Sequence, residues 1–155
     1  MMRLSSPEFE DGARIPQRFT CEGDDVSPPL VIDGIPDGAQ SIALIVDDAD
    51  APRGSFDHWL IWNVPARLST LPEAIPTERI VPGLGPAAQG RNDFGEIGYR
   101  GPCPPRGREH TYRFRVYAVD GVIHLDPGAD RDALERALEG HILAEAELTG
   151  RYGRE

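Results

Sequence analysis

Between residues 98 and 120, GYRGPCPPRGREHTYRFRVYAVD, a stretch of Gly and Pro gives way to a run in which apolar and polar residues alternate. A period of two is that of a β-strand. It puts His110, Tyr112, Phe114, Val116 and Ala118 on one face, and Thr111, Arg113, Arg115, Tyr117 and Val119 on the other. The first face predicts a core contact and the second a largely wetted one. SIALIVDD, Ser41 to Asp48, is instead apolar without a break and stops abruptly at acidic residues. Such a run predicts a strand covered on both faces. FDHWLIWNVP, from Phe56, reads the same way, with His58, Leu60 and Trp62 on one side and Trp59, Ile61 and Asn63 on the other.

The flanking segments are weaker. Arg3 to Arg14 predicts at most one short strand, and FTCEGDDVSPPLVIDGIPDG predicts small strands joined by turns. From Ala66 to Arg100 the chain is punctuated by Pro and Gly and predicts no long element; a loop of that length inside a compact domain is usually functional. VIHL, after Asp120-Gly121, reads as a short return strand. The C-terminus has helical spacing at Leu134, Ala137, Leu138, Ile142, Leu143, Ala146 and Leu148. It predicts two short helices separated by Gly140, the first capped by Asp130. Strands first and helices last predict a mainly β domain, residues 1–155, with a helical appendage.

Composition narrows the function. A chain of 155 residues suffices for one core without disulfide or metal support. The 17 glycines and 15 prolines fall in separate turn-like clusters, as many short strands require. A net charge of −10 argues against nucleic-acid binding and against attachment to anionic membranes. All 16 cations are arginines, so Schiff-base chemistry and a P-loop lysine are excluded, and no motif implies a cofactor. No apolar segment is long enough for a signal-peptide core or a membrane span, which leads to the expectation of a cytoplasmic protein. Cys21 and Cys103 are too few for a disulfide framework. Both lie in turn-rich segments able to line one pocket, so a bond between them is geometrically open, although a reducing cytoplasm argues against it.

Titratable residues gather where the three strong strands meet turns. Asp48 and Asp50, two apart, would project the same way from an extended backbone, and the Ala51–Pro52 bond beside them is a candidate cis peptide. His58 enters the second strand, and His110 with Tyr112 enters the third. Singly, each has a dull explanation as a solvated turn or a hydrogen-bonded core residue. Their shared placement makes one polar pocket the working expectation.

DDADAP, DHWLIWNVP and GRNDFGEIGYRGPCPPRGREHTYRFRVYAVD together resemble the two signature regions of the phosphatidylethanolamine-binding protein family, also called the Raf kinase inhibitor-like proteins, in its bacterial and archaeal branch. FTCEGDDVSPPL and GHILAEAELTGRYGR are similar to that branch as well, so the resemblance spans nearly the whole chain. It implies a Greek-key β-sandwich of two antiparallel sheets with short C-terminal helices. It also implies a small anion pocket holding Asp48, Asp50, His58, His110 and Tyr112, walled by Gly101, Pro102, Pro104 and Pro105. The chain departs from the family pattern at Thr111, where His-Arg-Tyr is usual; by alternation Thr111 points away from the pocket.

The resemblance further implies a non-enzymatic protein that binds phosphate, a phosphorylated headgroup or another small anion, regulates a kinase or serine protease, and forms a homodimer. Donors from the histidines and Tyr112 suit an anion, and the carboxylates suit orienting the histidines. Two alternatives use the same residues: a hydrolase with a histidine base oriented by Asp48 or Asp50, and a transition-metal site of two Asp and two His.

Overall fold

A computed structural model describes all 155 residues. Eight strands and one helix follow in the order β1 (Arg3–Ser5), β2 (Leu30–Asp33), β3 (Ser41–Asp48), β4 (Phe56–Pro65), β5 (Thr70–Leu71), β6 (Ala88–Gln89), β7 (Glu109–Val119), α1 (Arg131–Leu138) and β8 (Ile142–Gly153). They form two antiparallel sheets, β1-β2-β5 and β6-β4-β3-β7-β8. Strand β7 returns by a long connection to lie beside β3, the first of the series β3, β4, β6, which is the Greek-key arrangement.

β3 is buried along its whole length, as its unbroken apolar run predicts. Its two faces serve two cores. Ile42, Leu44 and Val46 pack with Trp59, Ile61, Phe114 and Val116 against the three-stranded sheet, which contributes Leu4, Leu30, Ile32 and Leu71. Ala43 and Ile45 pack with Leu60, Trp62, Tyr117 and Val119 under Leu134 and Leu138 of α1. Covering this outer face explains why the side expected to be wet is not. Arg113, Arg115 and Arg131 close its remaining end around Asp47, which is fully buried.

The C-terminal segment overturns one expectation. Asp130 caps α1 by accepting from the Ala133 N–H, but the predicted second helix is instead the twelve-residue strand β8. Ala144, Ala146, Leu148, Gly150 and Tyr152 also alternate with Glu145, Glu147, Thr149 and Arg151, and pairing with the long edge of β7 selects that period over the helical one. β8 thereby occupies the edge of β7 that a VIHL return strand would have used, and Val122 to Leu125 form no strand. There Ile123 is tied by its backbone to the Asn63 side chain, donating to Oδ1 and accepting from Nδ2.

Two further expectations fail locally. No peptide bond is cis, the Ala51–Pro52 bond included. Cys21 and Cys103 form a disulfide, contrary to the reading for a reducing compartment. No helix is long and apolar enough to cross a membrane.

Candidate functional site

The ends of β3, β4 and β7 meet, as their shared polar character suggested, around a cavity of about 140 Å³. At roughly 30 Å³ per water, that is room for a group of phosphate size with a few waters. Asp48, His58, His110 and Tyr112 form its polar part, and Ala51, Pro52, Phe56, Phe94, Cys103, Pro104 and Pro105 complete the lining.

Register explains how three of the polar residues converge. Asp48 pairs with Tyr112 across β3 and β7, and alternation places His110 on the same face as Tyr112. Asp48 Oδ2 receives a hydrogen bond from His110 Nδ1 at 2.6 Å, and Asp48 Oδ1 receives the Asp50 N–H at 2.8 Å. Both oxygens of this nearly buried carboxylate are therefore engaged, one of them in orienting the imidazole.

His58 arrives by a different route. Strict alternation along β4 would put it with Leu60 and Trp62, beneath α1. Between the pairs Val46–Trp59 and Asp47–Asp57, however, β4 carries one extra residue, a β-bulge at His58. The bulge turns the ring back to the face of Trp59 and Ile61, edge-on to Tyr112 with ring centroids 5.3 Å apart. His58 Nδ1 lies 2.7 Å from the Arg100 carbonyl oxygen. A carbonyl only accepts, so Nδ1 carries the hydrogen. Burial lowers the proton affinity of His58, outweighing the Arg100 hydrogen bond and the field of Asp48 and other carboxylates. The neutral ring then leaves Nε2 as an acceptor.

Tyr112 is 1% exposed, and its hydroxyl makes no hydrogen bond of good geometry, although the Asp48 carboxylate and the Cys103 backbone lie close to it. Burial, reinforced by Asp48, raises its pKa far above the ordinary phenol value, so the hydroxyl keeps its proton and can donate at every working pH. Nε2 of His58 and of His110 is likewise free of protein partners. Three polar groups lining one cavity thus retain unused hydrogen-bonding capacity.

Three expected pocket residues lie elsewhere. β3 ends at Asp48, so alternation no longer governs Asp50, whose carboxylate turns outward to accept the Thr111 N–H at 2.8 Å. Gly101 and Pro102 lie outside the lining and work behind the wall. The Gly101 N–H donates to Asp25 Oδ1, and a Cβ at Gly101 would come within 2.0 Å of the Phe19 carbonyl oxygen, so only glycine fits. The Pro102 carbonyl accepts the Cys21 N–H. With the Tyr99 hydroxyl on the Phe19 carbonyl, the Arg100–Asp25 ion pair and the disulfide, these bonds fix the 99–105 wall to the 19–25 turn. Pro104 and Pro105 face the cavity from that wall.

Phe56, Phe94 and Asp25 also build the site, without a signal in the sequence pattern that marks them. Phe94 sits at the mouth, 37% exposed, with its ring centroid 4.9 Å from that of Phe56 and 5.4 Å from that of His58. Its loop is shaped by buried Asn92, whose Oδ1 accepts from the Phe94 and Glu96 N–H groups and whose Nδ2 donates to the Gly98 carbonyl. The only local signal was the Asn-Asp-Phe-Gly turn itself. For a metal ion the donors are poorly disposed: no group of three or more His, Cys, Asp or Glu side chains converges, because Asp48 is held by His110 and Asp50 faces away.

A family model described as phosphatidylethanolamine-binding protein matches residues 5–153. Among curated relatives, a UPF0098 protein of Pyrococcus horikoshii is 50% identical over 150 residues, covering 96% of this chain and 75% of its own. A UPF0098 protein of Methanothermobacter thermautotrophicus is 48% identical, covering 99% of both chains. Two crystal structures superpose with a TM-score of 0.90. One is a phosphatidylethanolamine-binding protein homologue from Chlamydia trachomatis, 38% identical over 99% of this chain and 98% of that one. The other is YbcL of E. coli, described as a new member of the mammalian family, 34% identical over 99% of both chains.

Proposed function

Because the chain belongs to the phosphatidylethanolamine-binding protein family, we propose that it is a non-enzymatic binding protein whose cavity takes a phosphate or phosphorylated small molecule. The observation that carries this reading is the buried Tyr112 hydroxyl without a partner, with two free imidazole nitrogens on the same cavity. A buried donor left unsatisfied costs about 1–3 kcal/mol, and an oxygen-rich anion would recover that cost. Asp48 acts as the group that orients His110, not as a contact for the anion, since both its oxygens are engaged.

The hydrolase alternative has less support. The cavity lining contains no Ser or Thr, Cys103 is held in a disulfide, and Ser55 Oγ lies 3.5 Å from the Arg131 guanidinium rather than in the lining. A histidine oriented by a carboxylate is present, but no activated nucleophile accompanies it.

Calorimetric titration with inorganic phosphate and with phosphoethanolamine tests the reading. Saturable one-to-one binding is expected, lost in folded His58→Ala and His110→Ala variants. Equal affinity for the two ligands would leave Asp48 its orienting role alone, whereas a strong preference for phosphoethanolamine would give a carboxylate the ammonium. Absence of saturable binding to either would remove the proposal.

A further inference from the structure

The hydrogen-bonding roles around the cavity decide more than the presence of an anion. No arginine is among the lining residues, and the chain has no lysine. Arg100, the nearest arginine in the wall, pairs with Asp25 and Glu96 and lies over the Phe94 ring, so its charge is spent outside. The cavity's cationic capacity is therefore confined to its two imidazoles. One of them, His110, stands against Asp48 at 2.6 Å, and that pair has no net charge when the imidazole is protonated. The other, His58, has its hydrogen on Nδ1 by virtue of the Arg100 carbonyl and offers only a lone pair from Nε2.

A dianionic phosphate would meet that lone pair without a hydrogen between them, in a site about 97% sealed from solvent at His58 and with no net positive charge to balance it. A phosphate oxygen that carries a hydrogen has no such conflict, since it donates to Nε2 while another of its oxygens accepts from the Tyr112 hydroxyl. The groups facing His58 from the packed elements favour the same outcome. Asp48 comes from β3, His110 and Tyr112 from β7, and Asp25 stands behind the wall; Asp57 and Asp47 are turned to Arg131 on the far side of the sheet. The carboxylates among them draw a proton toward the site.

We propose, resting on the phosphate reading above, that the cavity binds a phosphomonoester together with one proton, shared between a phosphate oxygen and His58 Nε2. The class of ligand selected is thus a monoanion able to donate a hydrogen bond. Dianions enter only by taking a proton from solvent, and no bond to phosphorus is made or broken. A phosphomonoester has its second ionisation near pH 6, so at pH 7.5 the free ligand is mostly dianion and the complex holds about one proton more than its separated partners. By linkage, affinity then falls about tenfold per pH unit above that ionisation and levels off below it.

The test is calorimetry with phenyl phosphate at pH 7.5 in buffers of different ionisation enthalpy, from which proton uptake is counted directly. Uptake close to one per ligand is expected, together with at least tenfold weaker binding of phenyl sulfate, a monoanion of similar shape with no hydrogen to donate. His58→Asn and His58→Gln provide two chances of a folded variant, and in whichever folds, uptake is expected to drop toward zero. Binding of phenyl phosphate with no uptake, or of phenyl sulfate with equal affinity, would overturn the proton coupling while leaving the anion pocket intact. Failure of both anions to bind would remove the pocket reading itself, and the coupling with it.

Discussion

Tyr112 concentrates the conflict between stability and binding into one oxygen. Its ring belongs to the inter-sheet core, while its hydroxyl is buried without a partner. Replacing it with Phe keeps the ring and removes only the oxygen. Tyr112→Phe is expected to melt at the same temperature as the parent or higher, and to bind inorganic phosphate about tenfold more weakly, equivalent to about 1.4 kcal/mol. Thermal denaturation and titration on one preparation check both halves; unchanged affinity would take the hydroxyl out of the site. Individual residues were unevenly legible in the sequence. Asp48, His110 and Tyr112 could be placed together because β3 and β7 are regular to their ends. Alternation alone puts His58 on the face of Leu60 and Trp62, because a bulge is a backbone event with no side-chain signature in FDHWLIWNVP. Asp50 escapes the alternation rule because β3 stops two residues before it.

At the level of elements, Asp47 fastens β3, β7 and α1 together. Its carboxylate receives Arg113 through Nε at 2.9 Å and a terminal nitrogen at 2.8 Å, Arg115 at 3.0 Å and Arg131 at 2.7 Å. Burial opposes its charge, but the guanidinium groups outweigh burial and hold its carboxyl below the usual aspartate range. A depressed value in the folded state means that the ionised group stabilises the fold above its unfolded value near 3.8, and that this contribution is lost as pH falls through the folded value. Asp47→Asn is expected to cost about 3 kcal/mol at pH 7 in urea unfolding, with the gap to the parent closing as pH is taken below about 4. A gap independent of pH would assign the loss to packing alone. This ligature sits on the face predicted to be wet, because nothing in the alternation of β7 shows that a helix will return to cover it. The β8 segment reads as a helix for a related reason. Its Ala, Glu and Leu are strong helix formers, and only the open edge of β7 makes the strand the better solution.

Across the whole molecule, the cavity depends on two distant segments staying together. The wall from Tyr99 to Pro105 is held to the 19–25 turn by the Cys21–Cys103 disulfide, which spans 82 residues, and by the Asp25 and Tyr99 hydrogen bonds. Closing a loop of that length is worth about 4 kcal/mol by chain entropy. Reduction is therefore expected to lower the denaturation midpoint and to weaken anion binding together, since Cys103, Pro104 and Pro105 all line the cavity. A large fall in stability with unaltered affinity would show that the hydrogen bonds alone hold the wall. The mainly β character is legible in the unbroken or alternating apolar patterns of the central strands, whereas the two-sheet arrangement is implied only by the family resemblance. The loop from Ala66 to Arg100 is not legible, because what orders it are side chains reaching across the chain, such as Gln89 on the Pro76 and Glu78 carbonyls and Asn92 on Gly98.

The most direct test of an anion pocket built on His58, His110 and Tyr112 uses the four histidines as their own controls. His58 and His110 are buried at the cavity, whereas His124 and His141 are exposed and distant from it. Imidazole nitrogen and proton resonances followed through a titration with inorganic phosphate should show His58 and His110 shifting saturably with one shared Kd, while His124 and His141 stay still. Shifts that never saturate, or that appear alike in all four rings, would contradict a specific anion site in this cavity.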